Sequence, residues 1–300
     1  MSMMLDFTAL RRSYRNWWRK RHRVLPANAP PPFFHAKDIN TVREYFSTCT
    51  VDKNDLSEPP LLLTGRCFIC NETVDFTVDL PVGGGPVNWR ETLTCPQCGL
   101  INRWRSCLHV FEALCEPTVD DRIYLTETLS PVYQNLATRF PRLSASEFLP
   151  QAKLGSKVQT HTLSVRNEDV TQLTWGDCSF ESVLCFDVME HVPDYSSALR
   201  EFFRILSSGG QLVLSVPFSF RQETLVRAEL DAAGDVTHLT DPCYHGDPLS
   251  DQGVLSYYDF GMELLDEMST AGFRESFLLC YHSREWGYLG NNIVFVARKV

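Results

Sequence analysis

The stretch FESVLCFDVMEHVPDYSSALREFFRILSSGGQLVLSVPF, from Phe180 to Phe218, decides the fold. Val183-Leu184-Cys185-Phe186 is a short apolar run ending at an acid, Asp187, as suits a strand buried on both faces of a parallel sheet. Pro193 and Asp194 open a helical pattern, with Asp194 a suitable N-cap. Leu199, Phe202, Phe203 and Leu206 recur at helical spacing, and Gly209-Gly210 follow where a left-handed cap is wanted. A second apolar strand, Leu212 to Val216, comes at once. Strand, helix and strand in under about forty residues predict one right-handed crossover unit of an α/β sheet.

The order Asp187-Val-Met-Glu-His191-Val-Pro-Asp194, helix, Ser-Ser-Gly-Gly, and a strand ending Ser-Val-Pro-Phe218 resembles the core of class I S-adenosylmethionine-dependent methyltransferases, in their type-11 branch. The resemblance implies an α/β fold: a Rossmann-like sheet of seven strands with an antiparallel terminal hairpin.

The composition is that of an ordinary globular chain, 44% hydrophobic and 22% charged. A net charge of −9 argues against a dedicated nucleic-acid binder. No apolar run is long enough to span a bilayer, and the N-terminus lacks the apolar core of a signal peptide, so a cytoplasmic protein is expected. Four of the eleven cysteines are paired as CxxC and seven are scattered. That pattern reads as metal ligation plus free thiols, not a disulfide framework.

Residues 1–60 form a basic aromatic segment and a linker. Leu10, Tyr14, Trp17 and Trp18 fall at helical spacing among Arg11, Arg12, Arg15, Arg19, Lys20, Arg21 and Arg23. Such a helix either docks on its own domain or a partner, or makes peripheral membrane contact on anionic lipid through residues 5–23. Pro26 to Pro32 read as a stiff linker, 36–47 as a short helix and 50–60 as loop.

Residues 61–106 read as a zinc ribbon. Cys67-Phe-Ile-Cys70 and Cys95-Pro-Gln-Cys98-Gly99 each bring two thiolates onto one tight turn, supplying four ligands for a tetrahedral structural zinc. Thr73 to Val78 alternates as a ribbon strand should, and Gly83-Gly84-Gly85 reads as the loop that absorbs a wide spacing between the knuckles. Arg103 and Arg105 follow, suited either to an anionic substrate group or to acids at the domain boundary. A CPxCG ribbon with R-x-R ahead of such a core resembles a bacterial subgroup associated with glycan and secondary-metabolite clusters.

Residues 107–300 read as the methyltransferase domain, with helix residues Val110 to Leu114 and a first strand Arg122 to Glu127. In the family this strand runs into an acid-x-Gly-x-Gly loop; here Glu127 keeps the acid, Thr128 follows, and Leu129 and Pro131 replace the glycines. The resemblance implies that Glu147, after a second strand Leu143 to Ser146, meets the cofactor's ribose, with Phe148 against the adenine. It also implies that Asp169, beside Val170 after a third strand Thr162 to Val165, accepts from the adenine amino group, and that Glu127, Thr128, Val170 and Asp187, which tops the fourth strand, also bind the cofactor. Acids at the carboxyl ends of successive strands lie where open α/β sheets bind ligands.

A polar helix is expected over Gln222 to Ala233, then a loop rich in His, Asp and turn residues from His238 to Pro248, then a helix Tyr258 to Ala271. Phe277–Tyr281 and Ile293–Ala297 suit the terminal hairpin, which leaves Trp286 and Tyr288 on the substrate side with Tyr244 and Arg103. Methyl transfer from a sulfonium is an in-line displacement driven chiefly by proximity, with a base needed for a hydroxyl acceptor. His191, His238 and His245 are the candidates for that base. His238, Asp241 and His245 could instead hold a second metal, although such loops use His and Asp for hydrogen bonding as readily.

The chain therefore reads as an S-adenosylmethionine-dependent methyltransferase with a structural zinc, acting on a small molecule or glycan at oxygen in a bacterial biosynthetic pathway. The alternative is a non-catalytic ribbon with a degenerate methyltransferase domain that scaffolds a partner or binds RNA.

Overall fold

Seven strands make the central sheet of the computed structural model, which describes residues 33–49, 62–79, 87–159, 163–247 and 250–300. They are β1 (Phe33–Ala36), β2 (Ile123–Leu125), β3 (Leu143–Ala145), β4 (Phe180–Phe186), β5 (Leu206–Ser215), β6 (Glu275–Ser283) and β7 (Tyr288–Arg298), in spatial order β1-β6-β7-β5-β4-β2-β3. β3, β2, β4 and β5 run parallel, and β7, β6 and β1 are added antiparallel.

The period of two decides which residues face which layer. From β4, Val183 and Cys185 enter one apolar cluster, with Leu212 and Leu214 of β5 and Ile293, Phe295 and Ala297 of β7. Helices α1 (Ile39–Ser47), α4 (Tyr195–Ile205) and α5 (Leu264–Thr270) cover that face. Leu184 and Phe186 enter the opposite cluster, under α2 (Asn102–Cys115) and α3 (Pro131–Arg139). Asp194 caps α4 by accepting from Ser197 N–H at 3.0 Å. Its apolar stripe Ala198, Leu199, Phe202 and Ile205 is buried.

The strands Leu62–Cys67, Glu72–Val78 and Leu93–Thr94 form a three-stranded ribbon. Its Leu63, Phe76 and Leu93 share one apolar cluster with Phe111 of α2 and Val294 of β7. The 106/107 division expected between ribbon and domain falls inside α2, so the two share a helix and a core.

Several expectations are corrected. The described part of the third strand leaves the sheet: Ser164–Arg166 pairs antiparallel with Lys157–Gln159. It meets the end of β3 where Glu147 N–H donates to Arg166 O and Glu168 N–H to Glu147 O, both at 3.0 Å. The buried Asn167 side chain takes Leu149 N–H and donates to Ala152 O, both at 2.7 Å, which folds the 149–152 turn against that point. The expected helix Gln222–Ala233 is instead extended, with Leu225–Val226 paired to Tyr258–Asp259 and Ala228–Leu230 to Val236–His238. The helix expected from Tyr258 starts only at Leu264. Gly209, at φ +79°, lies inside β5 and does not cap α4, because Leu206 already pairs with Phe180. β1, just after the Pro26–Pro32 linker and at a place where no strand was expected, covers the β6 edge. The basic N-terminal segment, the 50–60 loop and the Gly83–Gly85 loop lie outside the described residues. No helix among the described residues is long and apolar enough to cross a membrane.

Candidate functional site

Each CxxC turn is closed by its backbone: Asn71 N–H donates to Cys67 O at 2.8 Å and Gly99 N–H to Cys95 O at 2.9 Å. Asn71 and Gly99 both adopt positive φ, which Asn tolerates and glycine favours. The turns face each other, with Cys67 Sγ 3.8 Å from Cys98 Sγ and Cys70 Sγ 3.7 Å from Cys95 Sγ. Sulfurs about 2.3 Å from one tetrahedral ion lie roughly 3.8 Å apart, so the four thiols could hold a zinc with no position left open.

The stretch between the knuckles carries a feature that sequence reasoning missed. A helical turn, Trp89–Thr92, projects Arg90 from the ribbon to the carboxyl end of β4. There Arg90 Nη1 and Nη2 clasp the two oxygens of Asp187, each at 2.6 Å. Arg103 Nε lies 3.0 Å from the same carboxylate and pairs with Glu91 through Nε at 2.8 Å and Nη2 at 3.0 Å. Ser215 Oγ of β5 donates to Asp187 Oδ1 at 2.8 Å. Burial alone would push the Asp187 carboxyl up, but Arg103 and Arg90 hold it well below the usual carboxylate range. Asp187 sits at φ +53°, in the left-handed region, held there by this network. The expected pairing of an arginine with a boundary acid is thus found for Arg103, whose guanidinium is directed to acids of this chain. Arg105, fully buried, donates to Leu100 O, Leu93 O, Trp286 O and Gly287 O at 2.8–3.3 Å. It ties the β6–β7 loop to the ribbon.

At the ends of β2 and β3 the expected acids converge. Glu147 Oε1 accepts Thr128 N–H at 2.6 Å and Leu129 N–H at 2.8 Å, so the loop after β2 is shaped by this carboxylate where the family uses glycines. Ser130 caps α3 and Pro131 occupies its first turn. Thr126 Oγ1, Glu127 Oε1 and Thr128 Oγ1 are buried without hydrogen-bond partners. Burial pushes the Glu127 carboxyl up to about 7, against the opposing pull of Ser130 and Arg103. Asp169 Oδ1 accepts from Thr171 N–H at 2.8 Å and Thr171 Oγ1 at 2.7 Å, closing a turn. Val170 packs into the core, and Phe148 is 56% exposed.

Beyond Asp187 the 3₁₀ turn Met189–His191 buries Glu190 completely. His191 Nε2 lies 3.7 Å and His245 Nδ1 3.5 Å from Glu190 Oε1. Burial raises the Glu190 carboxyl, and the neighbouring Glu190 raises His245. His191 Nδ1 is 2.7 Å from Leu255 O. The hairpin Tyr244–Asp247/Ser250–Leu255 thus lies against this turn. His238 does not join it: it is exposed on the strand Val236–His238, and Asp241 is exposed too. Tyr244 is 57% exposed on the hairpin.

The expected substrate side for Trp286 and Tyr288 is overturned. Both are buried, Trp286 at 5% exposure, packed on His109, whose Nδ1 lies 3.1 Å from Tyr288 Oη. The expected hairpin topology put this loop on the substrate side, but the ribbon covers it. A cavity of about 390 Å³ is lined by Val87–Arg90, Cys49, His282, Gly290 and Asn291.

Residues 143–214, which span β3, β4, α4 and all but the last residue of β5, match the model of a methyltransferase domain family. The demethylmenaquinone methyltransferase of Deinococcus radiodurans is 36% identical over 89 residues, 26% of this chain and 35% of that protein. This match spans only about a third of the length of that curated relative. A Mesorhizobium loti S-adenosylmethionine-dependent methyltransferase structure covers 67% of this chain and 99% of its own, at 15% identity and a TM-score of 0.42. The Burkholderia thailandensis 1,6-didemethyltoxoflavin-N1-methyltransferase, solved with 1,6-didemethyltoxoflavin and S-adenosylhomocysteine, covers 65% of this chain and 77% of its own, at 18% identity and a TM-score of 0.40.

Proposed function

We propose that the protein is an S-adenosylmethionine-dependent methyltransferase whose donor nucleoside lies at the carboxyl ends of β2, β3 and β4. The observation that carries this reading is the methyltransferase-domain match over the β3-to-β5 unit. The unpartnered polar atoms of Thr126, Glu127 and Thr128 support it, because a bound molecule rich in donors and acceptors would satisfy them. Glu127 and Thr128 would hold the amino-acid moiety of the cofactor. Glu147, oriented by two backbone N–H groups, would accept from the ribose diol, and Asp169 would take the adenine amino group. When bound, the cofactor supplies an electrophilic methyl group.

Asp187 acts as a strut, because Arg90, Arg103 and Ser215 use its oxygens. The four thiolates of Cys67, Cys70, Cys95 and Cys98 would hold a structural zinc that fixes the turn carrying Arg90. The acceptor would be a small molecule or glycan methylated at oxygen in the bacterial cytoplasm, with a proton acceptor on the Glu190–His191–His245 side.

Thermal unfolding of the zinc-loaded chain with S-adenosylhomocysteine tests the reading. At a hundredfold excess over Kd, binding stabilises by about 2.7 kcal/mol, and Tm should rise by about 5 °C. Asp169→Ala and Glu147→Gln should reduce that rise. An absent shift would favour the non-catalytic scaffold, and a full shift in both variants would misplace the nucleoside.

A further inference from the structure

We propose that Glu190, His191 and His245 form a second metal site, for a divalent transition ion such as Zn²⁺ or Co²⁺, distinct from the four-thiol centre. Three observations converge on it. Glu190 is 0% exposed, yet neither of its carboxylate oxygens makes a hydrogen bond. A buried carboxylate left in that state is costly unless a cation or donor meets it. The nearest nitrogens, His245 Nδ1 at 3.5 Å and His191 Nε2 at 3.7 Å, stand off beyond good hydrogen-bond length. They match instead the roughly 3.4 Å that separates ligand atoms held about 2.1 Å from one tetrahedral ion.

The histidine orientation agrees. His191 Nδ1, 2.7 Å from Leu255 O, is placed to donate its proton there, which leaves Nε2 with its lone pair toward Glu190. The backbone holds the same arrangement from the other side: Tyr257 N–H donates to Glu190 O at 2.7 Å, and the hairpin carrying His245 pairs it with Val254. The close approach within that hairpin requires Gly253, whose Cβ would meet His245 O at 2.3 Å. A two-histidine, one-carboxylate set binds first-row divalent ions and leaves at least one position open. His245, with a side chain 34% exposed, marks where that open position faces solvent. The test is independent of methyl transfer, because metal stoichiometry alone reads it.

The full-length chain, loaded with zinc on its thiols and freed of loose metal, is titrated with Co²⁺ and followed by metal analysis and visible absorption. The wild type should take up a second equivalent with weak ligand-field bands and no added thiolate charge-transfer band. His245→Ala, at a partly exposed position, and Glu190→Gln, nearly isosteric, should each weaken that second equivalent tenfold or more, with the first equivalent and the melting curve of His245→Ala retained. A wild type that binds a single equivalent overturns the site. So does a second equivalent that survives His245→Ala, or a second ion that reports thiolate bands.

Discussion

Glu127 and Asp187 stand at the ends of neighbouring strands and titrate in opposite directions. Burial raises Glu127 to about 7, above its unfolded value, so between those values the folded chain holds the extra proton. Its contribution to stability is complete below the unfolded value and is lost as pH rises through about 7. Glu127→Gln should therefore gain about 1–2 kcal/mol relative to wild type on going from pH 5 to pH 8 in urea denaturation, and a gap independent of pH would contradict this. Asp187 is depressed by Arg103 and Arg90 against its burial, so its contribution is present at neutral pH and is lost only in acid. Arg90→Met should cost about 2–4 kcal/mol by leaving that buried carboxylate short of a partner. Arg90→Lys should rescue little, because a single ammonium cannot span both oxygens. Asp187 could be read as the polar end of an apolar run, whereas Glu147 and Asp169 were singled out only through the family resemblance. Arg90 was not, because nothing local distinguishes an arginine that reaches a strand 97 residues away.

The element read best from sequence was the β4–α4–β5 unit, where burial pattern, cap and local propensity agree. The reading failed where tertiary pairing overrode propensity. Gln222–Ala233 has helical composition, yet Asp231 accepts Ala233 N–H at 2.8 Å and Asp235 N–H at 2.9 Å, and this tight turn returns the chain as a hairpin. The β6–β7 loop was misplaced because the ribbon that buries it comes from some 200 residues earlier. Gly287 marks that contact: at φ +60°, its Cβ would sit 2.3 Å from Phe76. Gly287→Ala should destabilise by about 2–4 kcal/mol, visible as a lower urea midpoint at unchanged slope. A shift within experimental error would show that the ribbon does not pack tightly against Gly287.

At the scale of the molecule, the thiol cluster and Asp187 at the end of β4 are joined through α2, Arg90 and a shared apolar cluster. Removing the thiol-bound metal should therefore do more than unfold a small ribbon. Chelation of zinc, or Cys95→Ser, should lower the single melting transition and release Arg90 from Asp187, with cofactor affinity falling in parallel. Two separate transitions would show that the ribbon folds alone. The central claim is that acids topping parallel strands, steadied by a metal-bound ribbon, grip the methyl donor. Calorimetric titration of S-adenosylmethionine into the zinc-loaded chain tests it most directly. One equivalent should bind, and the same titration after zinc removal should give little or no heat. No binding to the zinc-loaded chain would contradict the account.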